Sequence, residues 1–287
     1  MSAPPGPVGS PASAPARRLL LADADAFYVA VARLVDPAGA GKAPLLIVGG
    51  AAERRGVVTS ASYEARGYGV RSAMPMARAL RLCPGATVVP VPWEACAAKS
   101  RDIRAVLLRF TPVVEQASSD EFYLDLSGTE ALYRGEPLAE TALRIRAAVV
   151  AETTLQLSIG GGTSKLVAKL AAGIAKPRPG TAGAPADGVY VVAPGDEAAF
   201  MARFTLADLP GIGPKSAARL ALLGLRTVPD VVRCERLTLV RWLGEREGTW
   251  LSERVRGIDR GTVEPEREAK SMSRDETFPV DVDEDEA

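Results

Sequence analysis

The chain has 287 residues, enough for about two domains at roughly 150 residues each. Its 47% hydrophobic and 24% charged residues suit a folded chain with a substantial core, and 27 Gly with 22 Pro fall short of a collagen-like or wholly disordered composition. Lys+Arg and Asp+Glu are 35 each, yet five of the acids sit in the last seven residues, Asp281 to Ala287, so the body is mildly basic and zero net charge does not exclude a nucleic-acid partner.

Histidine is absent, which excludes His-dependent triads and His-ligated zinc. The three cysteines, Cys83, Cys96 and Cys234, are too scattered for a CxxC metal site or a disulfide framework and suit a reducing compartment. Any metal must be held by carboxylates and carbonyls, which favours hard ions such as Mg2+ or Mn2+.

Residues 1–17 begin with a Pro-, Ala-, Ser- and Gly-rich stretch without periodicity and read as a disordered leader. Arg17-Arg18 before Leu19-Leu20-Leu21 mimics a twin-arginine export signal, but Asp23 and Asp25 interrupt the apolar run too soon for a signal h-region. No stretch reaches the roughly 18 apolar residues of a membrane span. The expectation is a cytoplasmic protein without a membrane partner.

Leu19 to Asp23 reads as a buried strand running into a helix over Phe27 to Val35. Strands follow at Ala43 to Val48 and Gly56 to Ser60, with a short helix around Tyr63 to Arg66. Pro75 is placed as the first residue of a helix ending at Leu82, ahead of Pro84-Gly85. Thr87 to Val91 is a strand, and Trp93 to Phe110 a helix with Trp93 on its apolar side. Val113 to Leu126 alternates like a hairpin with Ser118, Asp120 and Glu121 at its middle. Helix 138–150, strand 155–159 and helix 163–175 complete an α/β or α+β sheet layer. The Pro/Gly/Ala run 176–187 is the best boundary, followed by a small helical unit over about 195–257 and a strand-like opening at 271–280.

Four constellations carry chemistry. Asp23-Ala24-Asp25 ends an apolar strand, at the rim where sites of such sheets lie. Asp25 reads as the cap of the next helix, while Asp23 is equally a turn residue or a ligand. Asp120-Glu121 lies between two strand arms and is either a solvated hairpin tip or a buried pair neutralised by a divalent ion. The adjoining Phe122, Tyr123 and Leu124 argue for burial. Three acids from two strands could hold two Mg2+ ions about 3.5–4 Å apart, as in phosphoryl transfer. Tyr63, Arg66, Lys165 and Lys169 could supply positive groups and contacts for phosphates, although each alone reads as a surface residue. Pro210-Gly211-Ile212-Gly213-Pro214-Lys215 brings backbone N–H groups to a helix N-terminus, a phosphate-binding turn between short helices.

These segments, DADAFYVAV (23–31), GKAPLLIVGG (41–50), RGVVTSASYEARGYGVRSAMPM (55–76), SSDEFYLDLS (118–127), SIGGGTSKLVAKLAAGIAKP (158–177) and LADLPGIGPKSAARLALLGLRTV (206–228), together resemble the Y-family translesion DNA polymerases, on the DNA polymerase IV branch. The resemblance implies an α+β fold: a palm sheet with helices over 18–26 and 92–180, small fingers over 27–91, and a helix-hairpin-helix thumb over 181–262. It makes 263–287 a linker and the start of a little-finger domain, most of which is expected to be missing.

The implied activity is template-directed, error-prone synthesis by two-metal nucleotidyl transfer, for damage tolerance. Asp23 and Asp120 match the family's metal-bridging carboxylates, Glu121 the acid on the ion that activates the primer 3′-hydroxyl, and the Ala24 carbonyl a further ligand. Tyr28 matches the steric gate against a 2′-hydroxyl. Tyr63, Arg66 and Lys165 match triphosphate contacts, with Ser60 beside them. Gly211, Ile212, Gly213 and Lys215 match the DNA-binding turn. Two Mg2+ ions, replaceable by Mn2+, primer-template DNA and dNTP are the implied cofactors and partners. A sliding clamp is a candidate partner, and the chain is expected to be a monomer.

The sequence departs from the family pattern at the Gly-rich GGGTSK loop (160–165) and in an enlarged 178–187 linker. The rival reading is a non-catalytic, polymerase-like DNA-binding accessory protein. Such relatives typically lose the metal carboxylates, and all three are here. A nucleotidyl cyclase would have no use for the PGIG turn.

Overall fold

The structure is a computed structural model that describes residues 16–177, 187–266 and 271–273. Nearly all of the expected leader, most of the linker and residues 274–280 of the expected last strand lie outside the described residues. The strands are β1 (Leu19–Ala24), β2 (Leu46–Gly49), β3 (Val58–Ala61), β4 (Thr87–Val89), β5 (Val114–Gln116), β6 (Glu121–Asp125), β7 (Leu157–Gly162) and β8 (Val189–Val191). The helices are α1 (Phe27–Val35), α2 (Tyr63–Gly67), α3 (Met76–Leu82), α4 (Trp93–Leu107), α5 (Leu138–Thr153), α6 (Lys165–Ala175), α7 (Glu197–Met201), α8 (Pro214–Leu222), α9 (Val228–Val232), α10 (Arg236–Leu243) and α11 (Glu245–Arg254).

The larger sheet has the order β5-β6-β1-β7-β8, with β1 antiparallel to both neighbours and β8 parallel to β7. Every residue of β1 is buried because both faces are covered. Leu20, Ala22 and Ala24 share a core with Ile103 and Leu107 of α4 and Ala142, Ile145 and Val149 of α5. Leu19 and Leu21 point the other way, onto Ala168 and Ala172 of α6 and onto Val263. A strand covered on both sides reads as a continuous apolar run instead of an alternating one. Each fully buried Leu contributes on the order of 1.5–3 kcal/mol.

The close seat of α6 on β7 depends on glycine. A Cβ on Gly160 would lie 2.0 Å from the Ala172 backbone nitrogen, and one on Gly162 would lie 2.4 Å from Val167 Cγ1. The expected Gly-rich loop is therefore the end of a strand, and the strand expected over 155–159 shifts to Leu157–Gly162. Ser164 caps α6, its Oγ accepting from Val167 N at 3.2 Å.

The smaller sheet, β3-β2-β4, packs Ile47 and Val58 against Ala65, Val70, Met76 and Ala79 from α2, α3 and the loop between them. The helices after β8 build a third core from Phe200, Met201, Leu220, Val231, Leu239 and Leu251, which continues into Leu166, Val167 and Leu170 of α6. Helix α6 thus lies between the larger sheet and this helical unit.

Four local expectations are corrected. The segment 181–262, expected to be thumb throughout, first supplies β8 to the larger sheet, where it pairs with β7. Pro75 is the N-cap of α3, not its first residue. Helix α4 ends at Leu107, and Trp93 is not on its apolar side but 65% exposed. Asp25 does not cap α1: the N-cap is Ala26, in the left-handed region at φ 45, with no side-chain cap bond. Asp25 is buried instead, because its carboxylate accepts from Ser158 Oγ at 2.9 Å.

Candidate active site

The β1–β6 register sets Asp23 directly opposite Glu121. Alternation puts Asp23 on the same face as Leu19 and Leu21, the face beneath α6. Asp120 stands at the hairpin tip, where its backbone oxygen accepts from Ala24 N at 2.9 Å and its carboxylate accepts from Ser118 Oγ at 2.7 Å. Main-chain pairing thus brings Asp23, Ala24, Asp120 and Glu121 to one end of the sheet.

Three lysines on α6 and its C-cap face three acids of the sheet. Lys165 meets Glu115 at 2.7 Å, Lys169 meets Glu121 at 2.6 Å, and Lys176 meets Asp23 at 2.7 Å. The spacing is i, i+4 and i+11, one stripe of a helix. Lys169 reaches both oxygens of Glu121. Asp23 is only 5% exposed. Burial pushes its carboxyl up to about 6, Lys176 pulls the other way, and the charges of Glu121 and Asp120 add to the rise.

Among the described residues no three His, Cys, Asp or Glu side chains already converge on a point fit for an ion. The donor chemistry nevertheless fits a hard divalent cation: three carboxylates and a backbone carbonyl, with no sulfur or imidazole competitor. Two ammonium groups stand on Asp23 and Glu121, where positive charge is needed to offset buried carboxylates.

Beside Asp23 opens a cleft of about 500 Å³ lined by Tyr63, Arg66, Gly67, Arg71, Gly173, Lys176 and Pro177. Arg66 lies over the Tyr63 ring at 5.2 Å, donates from Nε to the Ala61 carbonyl at 2.9 Å and reaches buried Ser60 Oγ at 3.5 Å. The Tyr63 hydroxyl is buried beside the Asp25 carboxylate, and its pKa is raised, first by burial and then by the charge of Asp25. Burial also raises Asp25, against the Ser158 hydrogen bond and Lys176.

Lys165, expected at the phosphates, is not in this cleft. Its Nζ binds both Glu115 oxygens at 2.7 Å, approaches the Thr262 carbonyl at 3.3 Å and sits over the Tyr123 ring at 4.5 Å. The cleft's lysine is Lys176, which sequence reasoning missed. The signal lay in its place on the stripe of Lys165 and Lys169. Tyr28, on the first turn of α1, is half-buried and makes edge contacts with Phe27 and Trp93.

In the helical unit, the turn Leu209–Gly213 leads into α8, with Gly211 at φ 94 and Pro214 as its first residue. Gly211 N and Gly213 N donate to nothing among the described residues, and Lys215 is exposed. Ile212 differs from expectation: its N–H is spent on the Leu209 carbonyl at 3.0 Å and its side chain is buried, so it anchors the turn.

A sheet bearing an acidic rim, a small domain facing it with a cationic cleft, and a hairpin turn with open amides define a nucleic-acid polymerase of right-hand architecture. The sequence pattern of the impB/mucB/samB family matches residues 22–173, and that of the DNA polymerase-iota thumb domain matches residues 207–259. The DNA polymerase IV of Halorhodospira halophila is 41% identical over 266 residues, spanning 93% of this chain and 71% of that protein. The DNA polymerase IV of Salmonella typhimurium is 38% identical over 268 residues, spanning 93% and 72%. Among solved structures, the DinB crystal structure from Sulfolobus solfataricus superposes with a TM-score of 0.74 at 27% identity, covering 86% of this chain and 69% of that one. An insertion ternary complex of Dbh DNA polymerase gives 0.72 at 26%, with the same coverage. The chain belongs to the impB/mucB/samB family of Y-family DNA polymerases and is similar to DNA polymerase IV proteins along 93% of its length.

Proposed function

We propose that this polymerase joins a dNTP to a primer 3′-hydroxyl at the rim formed by Asp23, Asp120 and Glu121, in template-directed translesion synthesis. Its partners are DNA and deoxynucleotides, a reading supported by its likeness to a Dbh DNA polymerase described as an insertion ternary complex. The observation that carries the reading is Asp23 paired in register with Glu121 beside a cleft lined by Tyr63, Arg66 and Lys176.

Asp23, Asp120 and Glu121, with the Ala24 carbonyl, would hold two Mg2+ ions. Bound there, the ions would supply Lewis acidity to the phosphate and the attacking hydroxyl and would offset leaving-group charge. The chain's own groups do the rest. Arg66 and Lys176 take the non-reacting phosphate oxygens, and the Tyr63 hydroxyl donates to one of them. Lys169 and Lys176 pair with Glu121 and Asp23 and offset their charge until substrate arrives. The Tyr28 ring occupies the space of a ribose 2′-hydroxyl. Gly211 and Gly213 offer N–H groups, and Lys215 a charge, to the DNA backbone.

The test is primer extension by Asp120→Ala and Glu121→Ala, with folding checked by circular dichroism. Loss of at least about a thousandfold in kcat is expected for each. Extension near the parent rate by folded Asp120→Ala would overturn the assignment.

A further inference from the structure

The Tyr28 ring stands against a residue that no part of the proposed mechanism uses. Trp93 opens α4, 65 positions along the chain, and its ring meets that of Tyr28 edge-on at a centroid distance of 6.1 Å and 77°. Phe27 meets the other side of Tyr28 at 5.3 Å and 76°. Among the described residues no hydrogen bond engages the Tyr28 hydroxyl, so packing against the two rings and the adjoining aliphatic clusters sets the orientation of the side chain.

Phe27 is fully buried and fixed in the core beneath β1. Val91, just before α4, packs against both clusters that Tyr28 touches. Trp93 is different in kind. It is 65% exposed, so its apolar area contributes little to the core. Its described ring contact is Tyr28. A tyrosine that excludes a 2′-hydroxyl by volume must resist being pushed aside. An alanine behind it would leave room to swing about χ1, and a rigid indole would not.

We infer that Trp93 is a positioning residue for sugar selection, a backstop that holds the Tyr28 ring in place. The inference rests on the reading of Tyr28 as the sugar gate. Trp93 touches neither sugar nor phosphate in this role; it acts through Tyr28.

The experiment measures kcat/KM for a dNTP and the matching rNTP on one primer-template, for the parent, Tyr28→Ala, Trp93→Ala, Trp93→Phe and the double variant Tyr28→Ala/Trp93→Ala. The dNTP to rNTP ratio should fall by roughly tenfold or more in Trp93→Ala. It should be restored to within about threefold of the parent in Trp93→Phe, which keeps a ring at the contact. In the double variant it should match that of Tyr28→Ala alone, because the backstop has nothing left to hold. A merely structural role would lower melting temperature and both kcat/KM values together without moving the ratio. If Tyr28→Ala abolishes discrimination while Trp93→Ala keeps the parental ratio, the backstop role is overturned and the gate stands. If Tyr28→Ala itself keeps the ratio, the gate reading fails and takes this inference with it.

Discussion

Lys176 Nζ stands 2.7 Å from Asp23 Oδ2, an ion pair in which the acid is buried and the base lines the cleft shared with Tyr63 and Arg66. Two features separate this lysine from the others on its stripe: it lines the cleft beside the rim, and its charge opposes the effect of burial on Asp23.

Lys176→Ala is expected to lower kcat/KM for dNTP by about 10- to 100-fold, mainly through KM, since it removes a charged contact to the triphosphate. Lys165→Ala is expected to leave KM for dNTP near the parent value. It breaks a largely buried pair with Glu115 and should cost on the order of 1–3 kcal/mol in stability. Steady-state kinetics beside urea denaturation separate the two; a larger KM effect from Lys165 would reverse the placement.

Asp23 carries a pH signature. Its folded pKa of about 6 lies above the ordinary 3.8, so the unfolded chain ionises it more readily. Its contribution to stability is full below about 3.8 and is lost as pH rises through about 6. In chelator, Asp23→Asn should therefore equal the parent near pH 4. It should exceed the parent above pH 7 by up to about 3 kcal/mol, while losing activity. Denaturation curves at both pH values check this. An equal gap at the two would show that ionisation of Asp23 is not the cause.

Gly160→Ala should be far more damaging than a surface Gly→Ala. The added methyl meets helix backbone at 2.0 Å, which no rotamer change relieves, so α6 must lift from β7. A loss of about 3 kcal/mol or more is expected, with polymerase activity falling as Lys169 and Lys176 move off their acids. Gly173→Ala, with nothing within 4 Å of its Cβ position, is the control for an α6 substitution, and for stability alone, because Gly173 lines the cleft.

Ala26 holds φ 45 between β1 and α1, a conformation that a β-carbon disfavours. Ala26→Gly should stabilise the chain by about 0.5–1 kcal/mol if the turn keeps its shape. A melting-temperature rise without loss of extension is the expected result. A fall would mean that flexibility gained by the unfolded chain outweighs the relief.

The acidic rim was legible because it is local. An apolar run ending in Asp23, and a hairpin whose tip carries Asp120 and Glu121, need only strand period and turn chemistry to be placed. The lysines were not, because their partners depend on how far α6 slides along β7. Gly160 and Gly162 decide that, and their effect is felt only once helix and strand are docked. Strand β8 went unread although Val189-Tyr190-Val191 is β-branched and aromatic. Three residues make a strand only when an edge such as β7 is there to receive them. Trp93 was misplaced for the opposite reason: its apolarity suggests the core, and only the neighbouring Tyr28 gives it another surface.

The third lysine of the stripe reaches past the sheet. Glu115 takes Lys165 on both oxygens and also accepts from the Glu264 N–H at 2.8 Å, Lys165 contacts the Thr262 carbonyl, and Val263 is buried against Leu19 and Leu21. Arg17 adds a bond to the Gly261 carbonyl at 3.0 Å. The helical unit is therefore tied to the larger sheet through β8 on entry and through 261–264 on exit, besides the apolar surface it shares with α6. A segment fastened at both ends and along one face shares its strain with the sheet, so a change at Glu115 or Lys165 is felt on both sides of α6.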